Sequence, residues 1–421
     1  MSPDLSPYLR IFRSRRISTI LLLGFSSGLP LALTGGTLQA WMAVAGVDLR
    51  TIGIFALAGL PYTLKFLWSP LMDRFVPPWL ARFGRRRGWI ALTQIGLMAG
   101  IAAMGLHSPE ATPWLMGGLA VLVAFTSASQ DIVIDAYRTD VLREKERGVG
   151  AAVFVMGYRI AMLVSGAVAL VLSDRIGWHN TYLLMAVLMT VGVLSALLGP
   201  EPEVRVSPPG SLREAVGGPL RDFFSRRSAA VLLLLIVLYK LGDAYAGTMT
   251  TAFLIRGVGF SATDVGTINK GLGLVSLLIG AMFGGTLMVR LGLCRSLLLF
   301  GLLQAVSNLS FMVLAWTGKS YPVMIFAVAF ENLCGGMGTA AFVSLLMSLC
   351  NQRYSATQYA LLSSLSALGR TVIAPSSGFL VEFIGWAPFF FITAVAALPG
   401  IGMLWWLRAE IASLTQQKRE R

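Results

Sequence analysis

Long apolar segments dominate this chain and constrain its fold more than any other feature. Spanning the ~30 Å hydrocarbon layer takes a helix of about 20 mostly apolar residues, which is about the length of each segment. Continuous runs of this length predict helices and not the ~10-residue alternating segments of a β-barrel. We predict an all-α polytopic membrane protein with twelve transmembrane spans. In chain order, the first to twelfth spans are Ile17–Trp41, Ile52–Met72, Gly88–Leu106, Trp114–Tyr137, Gly148–Leu172, Thr181–Gly199, Ala229–Phe253, Asp264–Val289, Ser296–Trp316, Tyr321–Leu349, Thr357–Glu382 and Trp386–Leu407.

Composition supports the membrane assignment. Hydrophobic residues make up 56% of the chain and charged residues only 13%, whereas a soluble domain carries about a quarter charged residues. Arg13, Arg15 and Arg16 precede the first span, which is long enough to cross the bilayer. We therefore interpret this segment as an uncleaved anchor and not as a signal peptide.

The basic charge of the chain is unevenly distributed along it. The formal net charge is +14, from 34 Lys and Arg against 20 Asp and Glu. When the N-terminus is placed in the cytoplasm, nearly all Lys and Arg outside the spans lie on the cytoplasmic side. The exceptions are Arg50, Arg175, Arg256 and Lys319. This positive-inside bias predicts two cytoplasmic termini and accounts for the charge without nucleic-acid binding.

The cysteines do not indicate a disulfide framework or a metal site. The chain has three of them, Cys294, Cys334 and Cys350, an odd number without the spacing of metal ligands. We predict that the protein binds no metal and no cofactor.

Charged residues inside the apolar spans point to function. On insertion scales a charge at the centre of a membrane helix costs roughly 2.5–3.5 kcal/mol, so such residues usually face a water-filled path or each other. A polytopic protein with charges at this depth is typical of a transporter. The intramembrane charged residues are Lys65, Asp131, Asp135, Arg159, Lys240, Asp243, Lys270, Glu331 and Arg370.

A polar stretch divides the spans into two sets of six. The predicted domains are an N-terminal six-helix half (1–199), a cytoplasmic linker (200–228), a C-terminal six-helix half (229–408) and a short charged tail (409–421). The fifth and eleventh spans repeat a pattern about 211 residues apart, which indicates a duplicated six-helix unit of the kind found in transporters. The two copies are Gly157-Tyr158-Arg159 with Ser165-Gly166, and Leu368-Gly369-Arg370 with Ser377-Gly378.

A basic motif lies between the second and third spans. It consists of Leu71-Met72-Asp73-Arg74-Phe75 and, after an insertion, Gly84-Arg85-Arg86-Arg87; the second half has Gly285-Thr286-Leu287-Met288-Val289-Arg290-Leu291-Gly292. The motif resembles the signature loop of the major facilitator superfamily, although Val289 stands where that family has an acid. The resemblance implies a major-facilitator-like bundle of twelve helices in two halves. We predict a conformational latch made by Asp73, Arg74, Gly84, Arg85, Arg86 and Arg290, because a carboxylate at a helix end can pair with basic groups. The alternative is that these arginines only set topology.

Three further stretches carry a narrower resemblance. They are Gly24-Phe25-Ser26-Ser27-Gly28-Leu29-Pro30, then Gly59-Leu60-Pro61-Tyr62-Thr63-Leu64-Lys65-Phe66-Leu67-Trp68-Ser69-Pro70, and Ser129-Gln130-Asp131-Ile132-Val133-Ile134-Asp135-Ala136-Tyr137-Arg138-Thr139-Asp140. They are similar to the AmpG-type muropeptide permease family, and the similarity extends over nearly the whole chain. It implies an inner-membrane secondary transporter of bacteria. Such a protein would import anhydro-muropeptides (GlcNAc-anhydro-MurNAc and its peptides) from periplasm to cytoplasm with a proton, for cell-wall recycling.

A cargo of this class carries carboxylates, so its binding site needs fixed positive charge. Arginine suits bidentate carboxylate binding, and each cation could instead belong to a structural ion pair. Lys240 is left open between cargo binding and a pair with Asp243, three residues on along one helix face. The predicted cationic cargo ligands are Lys65, Arg159, Lys270 and Arg370. Flat or hydrogen-bonding side chains that could contact the sugars are Gln39, Tyr62, Tyr158 and Asn269.

Proton coupling requires a carboxyl whose protonation differs between transport states. Asp131 and Asp135 lie four residues apart on one face of the fourth span, where burial and like charge favour protonation of at least one. Depth favours Asp131 as the proton site and Asp135 as a latch member beside Arg138 or Arg147. The candidates in the second half are Asp243 and Glu331.

Other functions stay open on the sequence alone. One is a major-facilitator transporter of another anionic amphiphile, such as a siderophore or an acyl-CoA-like compound, and another is a sensor on a transporter scaffold. An intramembrane prenyltransferase would need a second acidic helix beside Asp131 and Asp135 to hold metal ions, and we predict no enzyme activity. The predicted partners are a small sugar-peptide substrate, a proton and the lipid bilayer, for a monomer that binds no nucleic acid.

Overall fold

The structure, a computed structural model, describes residues 14–69, 72, 84–142, 147–200, 229–349, 362–367, 371–409 and 411. Within these ranges the chain consists of helices and short turns, and ten helices are long and apolar enough to cross a membrane. They correspond to all the predicted spans except the second and eleventh. The ten are Arg15–Val44, Arg86–Leu106, Pro113–Arg138, Val153–Ile176, Trp178–Leu198, Ala229–Gly257, Ala262–Met288, Leu293–Thr317, Tyr321–Leu346 and Trp386–Trp406. The second span contains the shorter apolar helix Leu49–Leu64, and the eleventh contains the helix Ser376–Ile384.

Contacts divide the chain into two compact units. The first comprises Met1–Ala45 and Ala58–Pro209, and the second comprises Gly46–Leu57 and Gly210–Arg421. The second span is thus divided: its residues up to Leu57 belong to the second unit, and those from Ala58 belong to the first. The predicted division into two six-helix halves, joined by the linker 200–228, stays a prediction.

In the first unit, glycines let two helices meet at backbone distance. Gly24 on the first span faces the Phe154 carbonyl of the fifth, and Gly157 on the fifth faces the Leu21 carbonyl of the first. A Cβ at either glycine would overlap these carbonyl atoms. Small residues that permit such close approach are the usual basis of helix packing in membranes.

Several helices of the first unit are irregular. The first span breaks at Gly35 into Arg15–Thr34 and Gly36–Val44, after Pro30 has removed one backbone donor. The second span contains short 3₁₀ segments at Phe55–Gly59 and Lys65–Leu67, and the fifth contains a π-helical segment at Leu163–Val168. Such segments often mark functional positions.

The second unit repeats the close packing between its eighth and tenth spans. A Cβ added to Gly280 would overlap the Leu333 carbonyl, and one on Gly336 would overlap the Leu277 carbonyl. A Cβ on Gly284 would likewise overlap the Met337 backbone, so Gly280 and Gly284, four residues apart, form a small-residue packing motif. Two π-helical segments, Phe253–Gly257 and Val265–Leu272, lie in the seventh and eighth spans.

The segment Gly46–Leu57 is tied to the rest of the second unit by charge and by backbone contact. Arg50 pairs with Glu382, and Gly53 lies against the Pro375 carbonyl at a distance that leaves no room for a Cβ. Asp48 caps the helix Leu49–Ile54 by accepting a hydrogen bond from the Thr51 backbone nitrogen at 2.9 Å. Burial alone would raise the pKa of Asp48, but the hydrogen bonds from Thr51 hold it below its ordinary value.

The glycine contacts between the first and fifth spans predict a stability difference. Gly157→Ala should lower the free energy of unfolding by about 1–3 kcal/mol, because the added methyl group forces the Leu21 backbone away. The check is the thermal unfolding midpoint of the purified protein in detergent. Gly118→Ala is the matched control, since its Cβ meets nothing within 4 Å. Equal midpoints for the two variants would contradict the packing argument.

Candidate functional site: two clusters of charged side chains inside the spans

The first unit gathers polar side chains from several spans around Asp131. Ser27 of the first span donates a hydrogen bond to Asp131 Oδ1 on the fourth span. Lys65, in the 3₁₀ segment of the second span, is the nearest opposite charge acting on that carboxylate. Tyr62 and Tyr158 also lie within its electrostatic reach. The structure therefore brings together four predicted site residues, with Ser27 as an unpredicted partner.

Several buried polar atoms beside this cluster have no hydrogen-bond partner among the described residues. They are the hydroxyl groups of Tyr62 and Ser127 and both amide atoms of the Gln130 side chain. A buried polar group left unbonded costs about 1–3 kcal/mol, so such groups are normally satisfied by water or by a ligand. The surroundings of Asp131 are thus suited to hold water or the polar groups of a cargo.

Two cations of the first unit lack a direct carboxylate partner within the described ranges. Arg159 on the fifth span contacts Met162 Sδ at 3.7 Å through Nη1. Lys65 is coupled to Asp131 by charge without a direct ion pair. Both side chains are half-buried. An incompletely compensated cation at this depth can accept an anionic ligand.

Asp135 is in a different environment from Asp131. Its Oδ1 lies 3.2 Å from Arg138 Nη2 one turn later on the same helix. The Arg138 guanidinium in turn lies over the Phe154 ring, 4.5 Å from its centroid. The two aspartates, which the sequence separates by depth, also differ in their partners: Asp135 pairs with an arginine and Asp131 accepts from a serine hydroxyl.

The second unit holds an ion pair between neighbouring turns of the seventh span. Lys240 Nζ lies 3.0 Å from Asp243 Oδ2 and 3.4 Å from the Thr339 hydroxyl on the tenth span. Lys240 occupies the break between helices Ala229–Tyr239 and Leu241–Ala252. The choice left open by the sequence is resolved here in favour of the pair.

Lys270 and Glu331 are the other two charges of the second unit. Lys270 Nζ donates to the Thr251 hydroxyl at 3.1 Å, and Glu331 Oε2 accepts from Asn332 Nδ2 at 2.8 Å. Glu331 lies within Coulombic reach of Lys270, Lys240 and Asp243. All four charges thus belong to one cluster, although only Lys240 and Asp243 are in direct contact.

The other predicted residues are less informative. The Gln39 and Asn269 side chains make no hydrogen bond to any described residue, and both are half-buried. Arg370, Asp73 and Arg74 lie outside the described residues, as does the side chain of Arg85. Their predicted roles stay predictions.

The basic motif can be followed at two of its glycines. Gly84 and Gly292, at corresponding places in the two copies, both precede a helix with positive φ, 81° and 77°. Arg86 Nε lies 3.2 Å from Asp140 Oδ2, and both side chains are largely buried. Arg290 is exposed. Asp140 is a partner that the sequence did not single out.

Apart from Asp140, the partners that the sequence analysis did not single out are neutral. Ser27, Thr251, Thr339 and Asn332 all bond to an intramembrane charge. Screening the spans for charged residues does not find them, because hydroxyl and amide groups are common in membrane helices. Ser27, Thr251 and Thr339 each contact a charge on another helix, and Asn332 contacts the residue before it, so these bonds are visible only in three dimensions.

Solved structures of transporters share this architecture. A bacterial homologue of the human lysosomal transporter Spinster, in an inward-facing and unoccupied conformation, superposes with a TM-score of 0.67 over 98% of this chain and 99% of its own, at 16% identity. A POT family transporter in complex with 5-aminolevulinic acid gives a TM-score of 0.71 over 94% and 96%, at 14% identity. At this identity the likeness shows the fold, and the predicted all-α bundle is confirmed.

Sequence comparison identifies the family. The profile described as Major Facilitator Superfamily matches residues 20–374 and 232–421. The anhydromuropeptide permease of Escherichia coli (strain K12) is 56% identical over 400 residues, which cover 95% of this chain and 81% of that protein. The putative transporter AmpG 4 of Rickettsia conorii is 35% identical over 409 residues, 96% of this chain and 99% of its own. These are membrane transporters of small molecules and not enzymes, so the prenyltransferase alternative is excluded. The chain belongs to the Major Facilitator Superfamily and, within it, to the family of AmpG-type muropeptide permeases.

Proposed function

We propose that this transporter imports anhydro-muropeptides from the periplasm into the cytoplasm together with a proton. The observation that carries the proposal is the 56% identity with the anhydromuropeptide permease of Escherichia coli over 95% of this chain. The cargo class fits the chemistry of the site, since muropeptides are carboxylates and the spans hold cations without carboxylate partners. Positive-inside charge supports an inner-membrane location with both termini in the cytoplasm.

The cargo carboxylates bind the cations that are not committed to an ion pair. In the first unit these are Lys65 and Arg159, and in the second unit it is Lys270. Arg370, which matches Arg159 in the repeated pattern of the fifth and eleventh spans, binds a cargo carboxylate as well. The unpartnered Tyr62 hydroxyl, together with Tyr158, Gln39 and Asn269, supplies contacts to the sugars.

Asp131 carries the coupling proton. When it is ionised, it attracts Lys65 and accepts from Ser27, so the lysine is held by the protein's own carboxylate. A proton on Asp131 removes this attraction and leaves Lys65 to a carboxylate of the cargo. Proton and cargo are then bound together, which is the requirement for symport. Asp243 is less suited, because Lys240 already compensates it at 3.0 Å.

The remaining roles complete the proposal. Asp135 with Arg138, and Arg86 with Asp140, form salt bridges at the end of the fourth span, where a latch would act with Asp73, Arg74, Arg85 and Arg290. The protein works as a monomer. Glu331 is the alternative proton carrier in the second unit.

The cargo assignment is tested with the purified protein in proteoliposomes. A labelled anhydro-disaccharide-peptide should accumulate inside when an inward proton gradient is imposed, and a protonophore should abolish the accumulation. Uptake that does not depend on the proton gradient would contradict proton coupling. Lack of uptake under a verified gradient would overturn the muropeptide assignment.

Replacing Asp131 by a residue that cannot exchange a proton should separate cargo binding from cargo accumulation. Asp131→Asn keeps the shape of a protonated carboxyl, so cargo should bind at least as well as to the wild type. Gradient-driven uptake should fall by about tenfold or more, because no proton moves with the cargo. The matched control is Asp135→Asn, whose partner is Arg138. A loss of uptake confined to Asp135→Asn would contradict the assignment.

Arg159→Gln should weaken cargo binding without uncoupling. A hydrogen bond to a charged group contributes about 1.5–3 kcal/mol, so KM should rise about 10-fold to 150-fold. Uptake kinetics at saturating cargo should still depend on the proton gradient. Arg256→Gln is the matched control, since this arginine bonds to the Val47 carbonyl. An unchanged KM in Arg159→Gln would remove this residue from the site.

A further inference from the structure

The charge cluster of the second unit contains one compensated pair and two separated ions. Lys240 and Asp243 are 3.0 Å apart and satisfy each other. Lys270 and Glu331 form no direct ion pair, but their helices meet beside them: a Cβ added to Gly273, one turn after Lys270, would lie 3.1 Å from the Asn332 amide nitrogen. Each is held by a neutral group, the Thr251 hydroxyl for the ammonium and the Asn332 amide for the carboxylate.

The neutral partners are themselves anchored. Thr251 is buried on the seventh span. The Asn332 amide nitrogen donates to the Val328 carbonyl at 2.9 Å as well as to Glu331. These bonds keep Lys270 and Glu331 at separate positions on the eighth and tenth spans. Both residues are only partly exposed, and their charged groups lie deep within the second unit.

Two separated ions of opposite sign favour a ligand that carries both complementary charges. A ligand with only a carboxylate would compensate Lys270 and bring a second negative charge near Glu331. A ligand with only an ammonium would compensate Glu331 and repel Lys270. Leaving one partner of a buried charge system uncompensated is costly, so a zwitterion satisfies the cluster best.

We propose that Lys270 and Glu331 form a binding site for a zwitterionic amino-acid group, with the ligand carboxylate on Lys270 and the ligand ammonium on Glu331. The site rests on the proposed muropeptide function and deepens it, because a peptide residue with a free amine and a free carboxylate on one carbon carries both charges. Asn332 is a positioning residue that holds the Glu331 carboxylate. Glu331 is then a ligand of the cargo and not the carrier of the coupling proton.

The position of Lys270 supports this assignment. It lies within the π-helical segment Val265–Leu272, where the extra residue per turn changes the direction of neighbouring side chains. A wide turn of this kind lets Lys270 reach Thr251 on the seventh span. Close packing of the eighth and tenth spans at Gly280 and Gly336 fixes the two helices that carry Lys270 and Glu331.

The test compares two labelled probes that differ by one group. One is an anhydro-disaccharide-peptide ending in a diamino acid with a free ammonium and carboxylate, and the other is the same molecule with that terminal amine acetylated. Binding of each probe to the purified full chain in lipid nanodiscs is measured at neutral and at acid pH. The wild type should bind the free amine at least about tenfold more tightly, a difference of about 1.4 kcal/mol.

Variants of Glu331, Lys270 and Asn332 show which residues distinguish the two probes. Glu331→Gln should reduce the ratio of the two affinities to about one, while Lys270→Gln should weaken both probes, since both keep the carboxylate. Asn332→Ala should lower the ratio of the two affinities to a value between that of the wild type and one. Asn332→Asp should not give back the wild-type ratio. Glu110→Gln, an exposed carboxyl outside the spans, is the control and should leave the ratio unchanged.

The outcomes separate this inference from the proposed function. Equal binding of the two probes to the wild type overturns the zwitterion site and leaves the muropeptide assignment standing. Equal binding that strengthens as the pH falls overturns it in favour of a cargo carboxylate accompanied by a proton on Glu331. If neither probe binds, the muropeptide function fails, and the zwitterion site fails with it.

Discussion

The cost of placing a charge in hydrocarbon is the constraint on which the rest of this structure depends. Each charge within the spans must be compensated by a partner, by water or by a ligand. Asp243 has Lys240, and Asp135 has Arg138, each at close to 3 Å. The other intramembrane charges that the structure describes have only neutral partners or a charge at longer range. A transporter needs this second group, because a charge that is fully satisfied by the protein has no reason to bind cargo.

Helix irregularity and charge coincide along the chain. Lys65 begins a 3₁₀ segment, and Lys240 sits at a break between two helices. Lys270 lies inside a π-helical segment, and Arg159 precedes another by one turn. Irregular backbone at membrane depth is tolerated only where protein or a water-filled cavity satisfies it. The protein groups or water that satisfy the irregular backbone can therefore also satisfy the charged side chain.

Much of the fold could be predicted from the sequence because hydrophobic length is a strong signal. The tenth span was predicted over Tyr321–Leu349, and its helix begins at Tyr321. The close packing at Gly280 and Gly284 is what small residues four apart in a membrane helix favour. The break at Gly35 was not predicted, since an apolar run does not show whether its helix is continuous. Likewise, the sequence found the charged members of both clusters and missed Ser27, Thr251 and Asn332. A neutral group acquires importance only through the charge it contacts. For Ser27 and Thr251 that charge lies on another helix and the contact depends on helix rotation, whereas for Asn332 it depends on the side-chain rotamer.

The central claim is that Asp131 exchanges a proton as the cargo binds. Calorimetric titration of the cargo into the purified protein, in buffers of different ionisation enthalpy at one near-neutral pH, measures the protons taken up on binding. The account predicts that binding to the wild type takes up protons and that Asp131→Asn binds the same cargo with no proton uptake. Binding without proton uptake in the wild type, or equal uptake in the variant, would contradict it.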